Sequence, residues 1–197
     1  MKQVVIASGN AGKIREIAAI LAPLGLEPVP QSNFGVPEAE EPYPTFVENA
    51  LTKARNAARH TGMPALADDS GICVEALGNA PGVYSARFAG EPKSDARNNQ
   101  KLADALKNEP NKRAYYYAAL VLVRHENDPQ PLIAEGVWRG EVVLEARGLG
   151  GFGYDPYFLL PHLGKTAAEL TAEEKNKVSH RALALQRLAN LLREQPL

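Results

Sequence analysis

The sequence predicts an α/β fold, and three stretches predict it. A β-branched apolar run breaks at glycines into a helical repeat, a Tyr/Val/Leu-rich run lies mid-chain, and the C-terminus is amphipathic. Taken in order, Val4, Val5, Ile6 and Ala7 form a short continuous apolar run, the pattern of a buried strand. Gly9 and Gly12 break it. Ile14, Ile17, Ala18 and Leu21 then recur at helical spacing until Pro23 and Gly25 stop the helix. Residues 35–44 form an acidic, proline-marked loop with Glu38, Glu40 and Glu41. Thr45, with Glu48 three residues on, has the capping-box pattern. The helix it opens carries Phe46, Ala50, Ala54, Ala57 and Ala58 on its apolar side and ends near Gly62 and Pro64. Residues 65–67 predict a short strand that ends at Asp68-Asp69-Ser70-Gly71.

Residues 78–92, with Gly78, Pro81, Gly82, Gly90 and Pro92, predict a long loop, and residues 94–107 a polar amphipathic helix. Residues 114–123 should be a central strand, and residues 131–138 and 141–146 paired strands around Arg139-Gly140. Residues 148–156 form a second glycine loop, and Thr171-Ala172-Glu173-Glu174 repeats the capping-box pattern. Val178, Ala182, Leu185, Ala189 and Leu192 mark the buried stripe of a terminal helix, which sets His180 and Arg181 beside that stripe. With no repeat or linker, one domain over residues 1–197 is the simplest account.

Composition narrows the function. With 22 Lys plus Arg against 23 Asp plus Glu, the net charge of −1 lacks the basic face that a nucleic-acid polymer requires. A small anion held by a few local cations remains open. The single cysteine, Cys73, excludes an internal disulfide and a Cys-based zinc site, and its apolar neighbours Ile72 and Val74 make it a core residue. His60, His125, His162 and His180 form no zinc-binding pattern, and no Gly-x-Ser-x-Gly elbow is present. The apolar run after Lys2 is too short for a signal peptide, and no stretch reaches the roughly 18–20 apolar residues of a membrane span. A cytoplasmic protein without a membrane partner is expected.

Four segments carry candidate chemistry. Ser8, Gly9, Asn10, Ala11, Gly12 and Lys13 join a strand to a helix, where turned N–H groups, the helix N-terminus and a lysine can hold a phosphate. The spacing is not that of the common P-loop, so an ordinary strand–helix turn competes with this reading. Asp68 and Asp69 suit a hard divalent cation, with Glu40 or Glu41 as a further ligand, unless Asp-Asp-Ser-Gly is turn chemistry alone. Phe152, Gly153, Tyr154 and Asp155 can open a slot for a flat ring, or tether a loop to the core. Lys175 with His180 and Arg181 can donate to a ligand acceptor, or form a solvated cluster. Asn49 and Lys53 share a helix face, the place of a surface pair.

In their order, these segments resemble the inosine triphosphate pyrophosphatase family. The resemblance rests on Ser8-Gly9-Asn10-x-Gly12-Lys13, Phe46-x-Glu48-Asn49-Ala50, Ala67-Asp68-Asp69-Ser70-Gly71, Ala80-Pro81-Gly82-x-Tyr84-Ser85-Ala86-Arg87, Gly151-Phe152-Gly153-Tyr154-Asp155-Pro156 and Ser179-His180-Arg181. Ser8 stands where many members have threonine, keeping the hydroxyl. The resemblance implies an elongated mixed central sheet flanked by helices, in two lobes with a cleft between them, and a homodimer. It implies magnesium-dependent hydrolysis of noncanonical purine nucleoside triphosphates (ITP, dITP, XTP) to monophosphate and pyrophosphate. Residues 8–13 and Lys53 would bind the triphosphate, and Ser70 would contact the substrate. Asp69 would act as general base and hold the metal with Glu41, Asp68 being a further candidate ligand. Phe152 to Asp155, Lys175, His180 and Arg181 would surround the purine. Two other readings compete: a non-catalytic nucleotide-binding module, and a related pyrophosphatase acting on modified pyrimidines.

Overall fold

The computed structural model describes residues 2–197. Its strands are β1 (Lys2–Ile6), β2 (Leu26–Pro30), β3 (Ala65–Val74), β4 (Arg113–Val123), β5 (Leu132–Val142), β6 (Phe158–Leu160) and β7 (Lys165–Thr166). The α-helices are α1 (Ala11–Leu21), α2 (Phe46–Thr61), α3 (Asp95–Leu106), α4 (Ala172–Val178) and α5 (His180–Glu194). The strands form one mixed sheet in the order β2-β1-β3-β4-β5-β6-β7. β1 pairs in parallel with β2 and β3, while β5–β6 and β6–β7 are antiparallel. The α/β expectation is met.

The chain divides into two compact units. The first holds the described residues up to Asp69, then Ala118–Gly136 and Arg181–Leu197. Strand alternation gives it two cores. Val4, Ile6, Leu66, Leu120 and Leu122 pack with Ile17 and Leu21 of α1 and Leu185 and Leu188 of α5. Val5, Ala65, Ala67, Val121 and Val123, the intervening residues, pack on Ala50, Ala54 and Ala57 of α2. Small alanines let α2 lie close to the strands. The second unit, Ser70–Tyr117 and Val137–His180, is built around Ile72, Val74, Leu102, Leu106, Tyr116, Trp138, Tyr154 and Phe158.

Three local expectations are corrected, and one strand is added. Asp68-Asp69-Ser70-Gly71 does not end a strand: β3 runs on to Val74, and both aspartates are buried within it. Ion pairing lets these carboxylates stay inside, so turn chemistry does not explain them. Arg139-Gly140 is no turn either, since β5 passes through it unbroken. A Cβ on Gly140 would lie 2.4 Å from the Leu159 carbonyl oxygen and 2.7 Å from Phe158 Cζ, so the glycine admits β6. Residues 26–30 form a strand despite Pro28 and Pro30, because β2 is an edge strand and proline is tolerated there. The last correction concerns the terminal stripe. Ser179 is extended (φ −67°, ψ 158°) and separates α4 from α5, so Val178 is exposed and the stripe begins at Ala182. His180 and Arg181 are buried in the first turn of α5, not set beside the stripe.

Candidate functional site

In the first unit, β1 leads through Ser8 and Gly9 into Asn10, the N-cap of α1, whose side chain accepts from the Gly12 and Lys13 amides. The Ser8 hydroxyl accepts from the Asn10 amide at 3.1 Å. Asn10 thus satisfies the first-turn amides and fixes the direction in which Lys13 leaves the helix. The Lys13 ammonium lies 2.5 Å from Asp68 Oδ1. Arg181 Nε donates to Asp68 Oδ2 at 3.2 Å, and Arg181 Nη1 to Glu16 at 2.8 Å. Asp68 therefore has both oxygens in ion pairs. Despite full burial, Lys13 and Arg181 hold its carboxyl well below the usual carboxylate range.

Asp69, next on β3, is arranged differently. Its Oδ1 is 3.2 Å from the Lys53 ammonium, which also lies 2.9 Å from Glu41 Oε1. Asp69 Oδ2 is buried and has no hydrogen-bond partner among the described residues. Burial raises the Asp69 pKa, with Lys53 opposing and the charges of Glu41 and Asp68 adding to the rise. Burial alone would lower Lys53; Asp69, Asp68 and Glu41 together hold it above its ordinary value. Lys53 is no solvated surface residue. Asn49, one turn earlier on α2, is also buried and exchanges hydrogen bonds with the Tyr43 backbone. That bond anchors the loop carrying Glu41.

Among the described residues no group of three or more His, Cys, Asp or Glu side chains forms a ready-made metal cage. Glu41 and Asp69, which share Lys53, with Asp69 Oδ2 buried and unpartnered among the described residues, have the carboxylate chemistry that would hold a hard cation. Asp68 already meets a cation at each oxygen, Lys13 at Oδ1 and Arg181 at Oδ2, and is the further candidate ligand beside them.

In the second unit, the glycine loop is held from beneath by Asp155. Its buried carboxylate accepts from the Phe152 amide at 2.9 Å, from the Tyr116 hydroxyl at 3.3 Å and from the Lys175 ammonium. A Cβ on Gly151 would fall 2.1 Å from Asp155 Oδ2, so only glycine lets the carboxylate approach. Tyr154 is buried and donates to the Ser85 carbonyl at 2.7 Å. The tether and the open ring coexist in one segment. Tyr154 and Asp155 anchor the loop, while Phe152 is 52% exposed with the Lys175 ammonium 4.8 Å from its ring centre. Lys175 comes from α4, which begins with the complete Thr171/Glu174 capping box. His180 stacks on Tyr116, centroids 4.7 Å apart and 9° from parallel. Ser70 is half-buried in β3.

Residue patterns gave no role to Glu16, Tyr116, Asp95 or Asn99. Glu16 stands one turn from Lys13 on α1, a legible spacing, but its partner Arg181 is 165 residues away. Asn99 stands at helical spacing from Leu102 and Leu106, so its buried place is legible while its contact is not.

The Ham1 family pattern matches residues 4–191. The dITP/XTP pyrophosphatase of Nitrosomonas europaea is 63% identical over 194 residues, spanning 98% of this chain and 96% of that protein. A HAM1 protein from Coxiella burnetii, whose structure is solved, superposes with a TM-score of 0.95 at 48% identity, over 98% of this chain and all (100%) of that one. The Staphylococcus aureus Ham1 protein gives 0.91 at 38% identity, covering 98% and 100%. With sequence and fold shared over nearly its whole length, the chain belongs to the Ham1 family.

Proposed function

We infer that the protein hydrolyses noncanonical purine nucleoside triphosphates (ITP, dITP and XTP) to the monophosphate and pyrophosphate, removing them before they enter DNA or RNA. The observation that carries this reading is Asp69: a buried carboxylate with one oxygen on Lys53 and the other without a hydrogen-bond partner among the described residues, its pKa raised by burial. The name borne by the Nitrosomonas europaea relative, dITP/XTP pyrophosphatase, supports the same reading.

Asp69 takes a proton from water as the water oxygen bonds to the α-phosphorus. The bond from that phosphorus to the bridging oxygen breaks, and pyrophosphate departs. Lys13 and Lys53 neutralise charge that grows on the phosphate oxygens, aided by Ser8, Gly9, Asn10, Ala11 and Gly12 at the start of α1. Glu41 and Asp69 would hold Mg2+, which when bound polarises the phosphoryl oxygens and acidifies water. Ser70 contacts the substrate. Phe152 to Asp155, Lys175, His180 and Arg181 meet the purine, where donors suit a 6-oxo acceptor. Adenine presents a donor instead, and a mismatch of that kind can give about 10⁴-fold rejection.

The test is a panel of ITP, XTP, dUTP and ATP with magnesium, scored for pyrophosphate. Rapid release from ITP and XTP is expected; orthophosphate as first product, or equal turnover of ATP, overturns the reading. The family resemblance supports a cytoplasmic homodimer acting on small nucleotides, without a nucleic-acid polymer or membrane as partner. No described helix is long and apolar enough to cross a membrane. Sedimentation at twice the 21.3 kDa chain mass is expected.

A further inference from the structure

One face of α3 grips a single residue of the glycine loop at both of its backbone polar groups. The Gly153 amide donates to Asp95 Oδ2 at 2.9 Å, and the Gly153 carbonyl accepts from Asn99 Nδ2 at 2.8 Å. Asp95 and Asn99 are four residues apart on the helix and so project together. Gly153 is in the left-handed region, φ 61°, between exposed Phe152 and buried Tyr154.

Asn99 is not explained by the stability of α3. It is 7% exposed, and its Oδ1 has no hydrogen-bond partner among the described residues, a state that costs stability. Leucine, of similar shape, would remove that defect. Its neighbour Asn98 uses both amide groups, on the Ala86 carbonyl and the Ala89 amide. Asn99 forgoes full satisfaction and retains the one bond to Gly153.

We propose that Asp95 and Asn99 are positioning residues that clamp Gly153 and thereby preset Phe152 for discrimination of the purine. This rests on the reading that Phe152 meets the base. The Phe152 ring is half open to solvent, with Lys175 beside it, so its place is set mainly by its backbone. Asp155 fixes the Phe152 amide, and α3 fixes the next residue. Without the clamp the loop visits other conformations, and each binding event must select the competent one.

The experiment compares Asp95→Ala, Asp95→Asn and Asn99→Leu with wild type in the full-length protein. It reads amide exchange across residues 150–156, KM and kcat for ITP, the ITP/GTP ratio, and Tm. Asp95→Ala and Asn99→Leu should speed loop exchange, raise KM by roughly tenfold and lower the ITP/GTP ratio, with kcat within about twofold. Tm should hold or rise in Asn99→Leu. Asp95→Asn keeps an acceptor for the Gly153 amide while losing the charge at the helix N-terminus, so it should behave as wild type. Loop exchange unchanged in both disrupting variants overturns the clamp. So does an Asp95→Asn variant as impaired as Asp95→Ala, which would assign Asp95 to the helix dipole. Wild-type protein that leaves ITP intact overturns the functional reading instead, and loop exchange then still decides the clamp.

Discussion

Asp68 meets Lys13 and Arg181 with its two oxygens, whereas Asp69 meets Lys53 with one and leaves the other open. Adjacent residues on one strand therefore have different chemistry, and each gives a separate prediction. Asp69→Asn keeps the shape and removes the proposed base, so pyrophosphate release from ITP should fall by about 10³-fold or more while Tm stays within a few degrees. Protonation of Asp69 has the same effect as that substitution. In the metal-free protein burial raises its pKa, so Asp69 should titrate at a pH above the ordinary carboxylate value of about 3.9, read by NMR of the carboxyl carbon without magnesium. Asp68 gives the opposite sign. Its folded-state pKa is lowered, so it stabilises the fold above the ordinary carboxylate range, and that stability is lost as pH falls through and below it. Asp68→Asn should cost about 3–5 kcal/mol at pH 7, because Arg181 and Lys13 lose their shared anion. Urea unfolding from pH 7 to pH 2 should show the gap between wild type and variant hold down to the ordinary carboxylate range and then narrow towards pH 2; a gap independent of pH would refute this account of Asp68.

At the scale of elements, helices α1 to α4 are legible because their caps are local. Asn10, Thr45, Ser94 and Thr171 each accept from a first-turn amide, and such residues announce themselves in sequence. Strand ends are less legible because they depend on partners far along the chain. Asp68 and Asp69 look like the end of a strand until Lys13, Arg181 and Lys53 arrive to neutralise them. Gly140 looks like a turn until β6 is placed against it, with Glu141 opposite Leu159 and Val142 opposite Phe158. That contact predicts that Gly140→Ala destabilises the protein by about 1–3 kcal/mol, since the added methyl meets the Leu159 carbonyl and the Phe158 ring. Chemical denaturation measures it. A neutral Gly140→Ala would mean that β6 can shift without loss, and that the glycine is not there to admit it.

For the whole molecule, 22 basic and 23 acidic residues sum to almost nothing, yet the buried ones are sorted. Arg181 and Lys13 converge on Asp68, Lys53 on Asp69 and Glu41, and Lys175 on Asp155. The candidate site residues are visible in the sequence as segments, but which cation meets which anion is not, because the partners come from distant segments. Arg181, for example, reaches back to Glu16 and Asp68. On the proposed function the folded chain, and not the unfolded one, binds nucleotide, so binding should raise Tm by mass action. Asp69→Asn serves as the trap, since it should bind substrate without consuming it. At about 100 times Kd, ITP with magnesium should stabilise that variant by about 2.7 kcal/mol, or roughly 5–10 °C for a chain of this size. ATP at the same concentration should shift it far less. In the wild type the ITP shift should decay as pyrophosphate appears, whereas a module that only binds nucleotide would keep its shift for hours. Differential scanning fluorimetry on both proteins, with pyrophosphate measured in parallel, separates a hydrolase from a binder.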